Sequence, residues 1–325
     1  MLKDTLLQLL TIPGPSGFES ACADYIEAEM RPYVDEIRRD VMGNLVCVKK
    51  GAPAGKRILL TAHMDEIGFI VTAIEDKGFL RVATIGGINP KVTAASHVVL
   101  ASGAQGVLFT EAGTEPAAFF IDVGASTREE AEKKAQIGDW AVVRGVISDM
   151  GDRVAAPYMD DRSGCAVLME TMRRLGKTDN EVIAVFTTQE EVGLRGATTA
   201  GYAADPDMAI ALDVTHANDF PRTKEATTHV VSELGKGAAV KIMDRGLIAM
   251  PTVVQALEDA AKKAGVPTQR EILLGGATDG AAIHKARAGV PTGVISIPCR
   301  YVHAPCEMVD IRDLEGAVRI LLALL

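Results

Sequence analysis

Aromatic residues are scarce in this sequence, and basic residues are outnumbered by acidic ones. Phe, Trp and Tyr make up 4% of the 325 residues, and 34 Lys and Arg against 43 Asp and Glu give a formal net charge of -9. A protein that binds nucleic acid needs clustered basic residues for the phosphates, and often aromatic side chains on which bases stack. The composition therefore argues against a nucleic-acid partner.

Cysteines and long apolar runs are also few. The five cysteines are an odd and widely separated set, which does not fit a disulfide framework and favours a reducing compartment. The first ten residues, MLKDTLLQLL, are interrupted by Lys3 and Asp4 and do not resemble a signal peptide, and no stretch reaches the apolar length of a membrane span. We therefore expect a cytoplasmic protein without a membrane partner.

The apolar residues that are present suit a large core built from alternating strands and helices. Hydrophobic residues make up 48% of the chain and charged residues 24%, which is typical of a globular protein of one large or two modest domains. Four short apolar runs, 58–62, 182–186, 208–212 and 291–297, indicate buried strands. Helical patterns lie between them, and the spacing of Ser16 and Glu19 predicts a capping box at the start of one helix. The pattern predicts an α/β fold whose central sheet is covered by helices on both faces.

One stretch of the chain has a different pattern. Between residues 68 and 148, six short alternating runs are separated by Gly, Asp and Pro, and only 126–136 is typical of a helix. Short strands at this spacing are typical of a small β-barrel or sandwich. We therefore predict a main α/β domain formed by residues 1–67 and 149–325, with residues 68–148 inserted as a small all-β domain.

Side chains that bind metals follow the four buried runs. In chain order they are His63, Glu190 with Glu191, Asp213 and His303, and Asp160 adds a carboxylate at a predicted helix start. If the strands are parallel, their carboxyl ends meet at one edge of the sheet, where ligands bind in open α/β folds. Two imidazoles and three carboxylates would suit a pair of zinc, cobalt or manganese ions that share one carboxylate.

Each of these residues also has an ordinary interpretation. A histidine after a strand is often a satisfied polar residue, Asp213 would suit a turn, and Asp160 would suit a helix cap. We favour the metal site because the same placement recurs after several strands.

Glu190 and Glu191 are adjacent carboxylates at the end of a buried run. Two ionised carboxylates there repel each other and lose hydration, so a cation must compensate them or the pair must lie in open water. A glycosidase would need two carboxylates that face a substrate about 5–10 Å apart. Neighbours in a strand point to different sides, so one can bind metal while the other acts as a base for water.

Six motifs occur together along the chain. They are AHMDEIGF around His63, MDDRSG around Asp160, TTQEEVGLRGA around Glu190, ALDVTHA around Asp213, GGATDG around Asp279 and PCRYVHAPCE around His303. With these motifs the chain resembles, over essentially its whole length, the tetrahedral aminopeptidases. This metallopeptidase family, family forty-two, includes glutamyl and deblocking aminopeptidases.

The resemblance implies a role for each matching residue. His63, Asp160 and Asp213 would hold one metal ion, and Asp160, Glu191 and His303 would hold the other, with Asp160 bridging the two zinc or cobalt ions. Glu190 would be the general base and acid, Asp65 would orient the ring of His63, and the Asp160–Asp161 peptide bond would be cis. The inserted domain, a β-barrel in this family, would make dimer contacts, and dimers would assemble into a tetrahedral dodecamer.

These expectations favour one function and leave two alternative functions open. We expect a di-metal aminopeptidase that hydrolyses N-terminal residues from short peptides, with Glu190 acting on a water molecule that bridges the ions. A di-metal carboxypeptidase or an amide deacylase on the same catalytic fold is the nearest alternative. A catalytically inactive binding or assembly protein is a second. For a substrate pocket that prefers acidic side chains, Arg195 and Arg300 are the candidate cations.

Overall fold

Helices and strands alternate along the chain, as a computed structural model shows for residues 1–111, 113, 118–221 and 231–325. The α-helices of these ranges are α1 (Leu2–Leu9), α2 (Ser20–Met30), α3 (Pro90–Thr93), α4 (Arg128–Glu132), α5 (Met159–Arg174), α6 (Arg195–Ala204), α7 (Pro251–Ala264), α8 (Asp279–Ile283) and α9 (Ile311–Leu324). Within the described ranges, none of these helices has the length and apolar character needed to cross a bilayer.

The strands of the described ranges are short. They are β1 (Glu36–Arg39), β2 (Leu45–Lys49), β3 (Arg57–His63), β4 (Gly68–Ile74), β5 (Phe79–Ile85), β6 (His97–Leu100), β7 (Gln105–Thr110), β8 (Phe119–Asp122), β9 (Trp140–Val143), β10 (Ser148–Met150), β11 (Arg153–Ala156), β12 (Glu181–Thr187), β13 (Met208–His216), β14 (Ala239–Met243), β15 (Gln269–Ile272), β16 (Thr292–Arg300) and β17 (Glu307–Asp310). They form two separate sheets.

A mixed sheet forms the centre of the protein. Its strands follow the order β1-β2-β12-β3-β13-β16-β17-β11-β10, and β14 pairs with both β15 and β16. The four strands β12, β3, β13 and β16 run parallel. In their register Thr187 lies beside His63, and Asp213 lies beside Ser296. The carboxyl ends of the predicted strands therefore meet at one edge of the sheet.

Helices cover both faces of this sheet, and the alternation of side chains decides which helices each face meets. Successive residues of a strand point to opposite faces. In β12, Val182 and Phe186 belong to the large core formed with α1, α2, α5, α7 and α9, whereas Ile183 and Val185 pack with α6 and α8. Full burial of such an apolar side chain contributes about 1.5–3 kcal/mol to stability. A shift of the strand register by one residue would turn these side chains to the wrong face and would lower the stability of the fold. The predicted α/β fold with two covered faces is confirmed.

The second sheet closes into a barrel. Strands β4, β5, β8, β7, β6 and β9 pair antiparallel around it, and they correspond to the six alternating runs of the sequence. Its interior is filled by apolar side chains such as Phe69, Leu80, Val98, Leu108 and Ile121. Closure pairs every strand on both sides and leaves no open edge. The predicted all-β unit is thus a barrel, while the limits of the inserted domain at residues 68 and 148 stay a prediction.

Two local predictions were wrong. The helix expected after the Ser16–Glu19 capping box begins only at Ser20, and the structure shows no side-chain cap there. Oε1 of Glu19 instead accepts hydrogen bonds from the amides of Gly17 and Gln189, at 2.7 and 3.0 Å. The third buried run continues to His216, so Asp213 lies inside β13 and not after it. In both cases partners from distant segments outweigh the local pattern.

A buried ion pair joins the N-terminal segment to α5. Nη2 of Arg162 donates to Oε2 of Glu66 at 2.9 Å, and Oε1 of Glu66 accepts from the Gly14 amide at 2.8 Å. Both charged side chains are almost completely inaccessible to solvent. Burial raises the pKa of Glu66 to about 7, although Arg162 opposes this rise. A buried charge of this kind is tolerated only while its partner is present.

We expect Arg162→Met to lower the free energy of unfolding by about 3–5 kcal/mol, because Glu66 would stay buried without a cation. Urea unfolding of the purified variant would measure the change. The control is Arg270→Met, which removes a pair with Glu258 at the protein surface and should change stability little. Equal stability of the Arg162→Met variant and the wild type would contradict this role of the buried pair.

Candidate metal centre

The five predicted metal ligands lie together at the edge of the sheet formed by the carboxyl ends of the parallel strands. His63 ends β3, Glu191 follows β12, Asp213 lies near the end of β13, His303 lies in the loop after β16, and Asp160 lies at the start of α5. All of them except the buried His63 line a cavity of about 570 Å³, together with Glu190. This volume is typical of a site for small ligands.

Two groups of three potential ligands share Asp160. Nε2 of His63 lies 3.0 Å from Oδ1 of Asp160 and 3.9 Å from Oδ1 of Asp213. Nε2 of His303 lies 3.3 Å from Oδ2 of Asp160 and 3.3 Å from Oε1 of Glu191. Within each group the ligand atoms lie within 4.8 Å of one another. The two oxygens of Asp160 therefore face different groups.

The carboxylates of these groups have little positive charge around them. In the described part of the chain, Asp160, Glu191 and Asp213 form ion pairs only with the two histidines. Burial raises the pKa of the Glu191 and Asp213 carboxyls, because an ionised carboxylate loses its hydration there. Divalent cations would compensate these charges, and imidazoles with carboxylates are donors that zinc and similar metals accept. The residues present therefore fit metal ions.

The carboxylate of Asp65 binds the chain segments that surround the two ligand groups. This fully buried carboxylate accepts from the Glu190 amide at 2.9 Å, from the Glu191 amide at 3.1 Å and from the Ser16 hydroxyl at 2.6 Å. Nδ1 of His63 lies 3.1 Å from the carbonyl oxygen of Asp65 and 3.5 Å from its carboxylate. Asp65 thus contacts both the ring of His63 and the turn that carries the two glutamates.

Glu190 lines the cavity beside the two ligand groups. The side chain is buried, and burial raises the pKa of its carboxyl well above the usual range. His63 opposes this rise, while the negative charges of Asp213 and Glu191 add to it. In this geometry Glu190 belongs to neither three-residue group, so its oxygens remain available to other molecules in the cavity.

The neighbouring residues Asp160 and Asp161 have different surroundings. The peptide bond between them is cis, as the resemblance implied. Asp160 faces the two histidines, whereas Asp161 accepts hydrogen bonds from the amides of His63 and Gly164, at 3.2 and 2.9 Å. Their backbone angles are not helical, so the regular part of α5 begins after them.

Several residues of the site were not predicted from the sequence. Ser16 and Glu19 were interpreted as a helix cap, but they bind Asp65 and the Gln189 amide. Glu307 ends the motif PCRYVHAPCE without an assigned role, yet it is buried and accepts from two amides of the site. His216 lines the cavity, and its signals in the sequence were the motif ALDVTHA and its place near the carboxyl end of a parallel strand.

The two arginines considered as cations for an acidic substrate side chain both form hydrogen bonds to other side chains of the protein. The guanidinium of Arg300 donates to both carboxylate oxygens of Asp219, each at 2.7 Å. Nη1 of Arg195 donates to the side-chain oxygen of Gln189 at 3.0 Å. Among the residues that the structure describes, no Lys or Arg lines the cavity.

Several proteins with similar sequences or folds are named as aminopeptidases or peptidases. The chain is 43% identical to a putative aminopeptidase of Acetivibrio thermocellus, over 98% of this chain and 96% of that protein. It is 34% identical to the lysyl aminopeptidase of Pyrococcus furiosus, over 99% and 96% of the two chains. The structure of the Pyrococcus horikoshii TET1 peptidase, described as able to assemble into a tetrahedron or a large octahedral shell, matches with a TM-score of 0.86 and 30% identity. That match covers 100% of this chain and 99% of the other.

The fold, the named relatives and the family match together identify a metal-dependent aminopeptidase. The model of the M42 glutamyl aminopeptidases matches residues 43–320. This chain belongs to that family, and the resemblance to the tetrahedral aminopeptidases is confirmed.

We expect Asp65→Asn to lower aminopeptidase turnover by about 10–100-fold, because an amide cannot accept from both backbone amides and the Ser16 hydroxyl at once. Hydrolysis of an aminoacyl-anilide would measure the loss. Ser16→Ala removes only one of these bonds and should cost less than about tenfold. Equal activity of the Asp65→Asn variant and the wild type would exclude the central role of this carboxylate.

Proposed function

We propose that this protein is a di-metal aminopeptidase that removes N-terminal residues from short peptides. His63, Asp160 and Asp213 would hold one zinc or cobalt ion, and Asp160, Glu191 and His303 would hold the other. The observation that carries the proposal is the arrangement of Asp160, whose two oxygens each face a different histidine. A carboxylate with one oxygen for each ligand group is suited to bridging two ions.

Glu190 would act as the general base and acid of the reaction. When bound, the two ions would polarise the scissile carbonyl group and lower the pKa of a water molecule. Glu190 lines the same cavity but belongs to neither ligand group, so its carboxylate can take the proton of the attacking water and deliver it to the leaving amine. Asp65, which accepts from the Glu190 amide, would hold this base in place.

The side chains that line the cavity argue against recognition of a C-terminal carboxylate. A carboxypeptidase would need a cation for the C-terminal carboxylate, and within the described residues no Lys or Arg lines the cavity. An amide deacylase acts on a blocked amine, whereas the relatives reported above are named aminopeptidases. Both rival activities are therefore less well supported.

We also propose that the chain forms dimers through residues 68–148, and that dimers assemble into a tetrahedral dodecamer. The assembly described for the TET1 peptidase supports this proposal. The barrel presents exposed apolar side chains on β7, namely Val107 at 40% and Phe109 at 49% exposure. Exposed apolar side chains close together are typical of contact surfaces. The cytoplasmic location inferred from the cysteine content stays a prediction.

We expect Glu190→Gln to lower kcat by about 10²–10⁴-fold, because an amide cannot take a proton from water. Metal analysis of the same sample should show unchanged metal content, since Glu190 is not among the proposed ligands. Glu233→Gln, at an exposed position outside the cavity, is the matched control and should retain full activity. Wild-type turnover in a metal-replete Glu190→Gln protein would rule out the proposed base.

We expect the chelated, inactive protein to regain activity on titration with Zn²⁺ or Co²⁺, with two ions bound per chain. Elemental analysis and calorimetry would give the number of ions, and a panel of substrates would define the reaction. Aminoacyl-anilides should be cleaved, whereas N-acylated peptides should not, because an aminopeptidase acts on a free N-terminal amine. Binding of a single ion, or a preference for N-acylated peptides, would contradict the proposal.

A further inference from the structure

Two loops of the metal centre meet at one buried carboxylate that has no role in the mechanism above. The first loop joins β11 to α5 and leads to Asp160, and the second joins β16 to β17 and carries His303. β11 and β17 pair antiparallel with Ala156 beside Glu307. Glu307, the first residue of β17, therefore lies where the first loop begins and the second loop ends.

The side chain of Glu307 bonds to the backbone of both loops. It is 2% exposed, and Oε1 accepts from the His303 amide at 2.5 Å while Oε2 accepts from the Asp160 amide at 3.0 Å. A buried carboxyl group needs such hydrogen bonds to offset the hydration that it loses. The two oxygens of Glu307 thus bind the amides of Asp160 and His303, which are both proposed ligands of the second ion.

The two loops have backbone conformations that need such support. Tyr158, Tyr301 and His303 have φ angles of 69°, 61° and 63°. A residue with a Cβ atom rarely adopts this left-handed region, because the side chain crowds the backbone. These conformations persist only where surrounding bonds hold them, and the amide of His303 is held by Glu307 itself.

We propose that Glu307 is a positioning residue of the metal centre, which sets the spacing between Asp160 and His303 so that both can bind the second ion. It acts through the backbone, because both of its oxygens are bonded to amides. The inference rests on the proposed di-metal function. It extends that function to a residue that touches neither the ions nor the substrate.

The chain offers a matched control for this role. Asp313 is 1% exposed, and its two oxygens accept from the amides of Gly235 and Gly237 at 2.7 and 2.8 Å. These are the same kind of bonds that Glu307 makes, but glycine has no side chain that could bind an ion. If Glu307 only stabilised the fold, its replacement would affect the protein in the same way as replacement of Asp313.

The test compares zinc binding by the metal-free forms of the wild type, Glu307→Gln and Asp313→Asn. In Glu307→Gln an NH₂ group would face one of the two amide donors and would loosen the spacing of the loops. Competition with a chelator should show one of the two zinc sites weakened by about 10–100-fold in Glu307→Gln and both sites unchanged in Asp313→Asn. The absorption spectrum of the Co²⁺-loaded protein should change only in Glu307→Gln.

The outcomes separate this inference from the function on which it rests. Two unchanged zinc affinities in folded Glu307→Gln would overturn the role of Glu307 and leave the di-metal proposal intact. A wild-type protein that binds no zinc would overturn both. If Glu307→Gln does not fold, the role of Glu307 is tested by measuring amide hydrogen exchange in the metal-free wild type. Slow exchange at the amides of Asp160 and His303 is expected, and rapid exchange at both would overturn the role.

Discussion

The burial of several carboxylates at one edge of the sheet is the constraint on which the rest of this structure depends. An ionised carboxylate loses hydration when it is buried, and neighbouring carboxylates repel one another, so each must be compensated by a cation or by hydrogen-bond donors. Here the two kinds of compensation are divided between two sets of residues. Asp160, Glu191 and Asp213 face histidines and the cavity. Asp65, Asp161 and Glu307 accept from backbone amides.

The second set explains how loops can present ligands with a defined geometry. Loops at the ends of strands are ordinarily the mobile part of a fold. In this protein Asp65 binds the turn that carries Glu190 and Glu191, and Asp161 binds the backbone of His63. The backbones of Glu190 and Glu191 are thereby connected to a buried acceptor from another segment, as are those of Asp160 and His303 through Glu307. The parallel strands supply a common edge, and these acceptors set the positions of the side chains along it.

Membership of the family does not by itself decide which N-terminal residue is removed. The family model is named after glutamyl aminopeptidases, while one relative is named a lysyl aminopeptidase. These names differ in the charge of the side chain, so membership of the family is compatible with opposite preferences. In this chain Arg195 and Arg300 are bonded to Gln189 and Asp219. The charges available to a substrate side chain therefore depend on pairings that a motif does not reveal.

The sequence by itself determined the four parallel strands, the covered sheet, the β-barrel segment and the residues that gather at the sheet edge. These features depend on local hydrophobic alternation and on short motifs, which are visible within a few residues. Only the tertiary structure decided which polar groups hold the site together. Glu19 and Gln189 are 170 residues apart, and Glu307 and Asp160 are 147 apart. Ser16 and Glu19 matched a helix cap because that pattern is local, but burial brought stronger partners to them. A buried carboxylate binds whichever donors the packed chain places beside it, and that placement exists only once the sheet and helices have assembled.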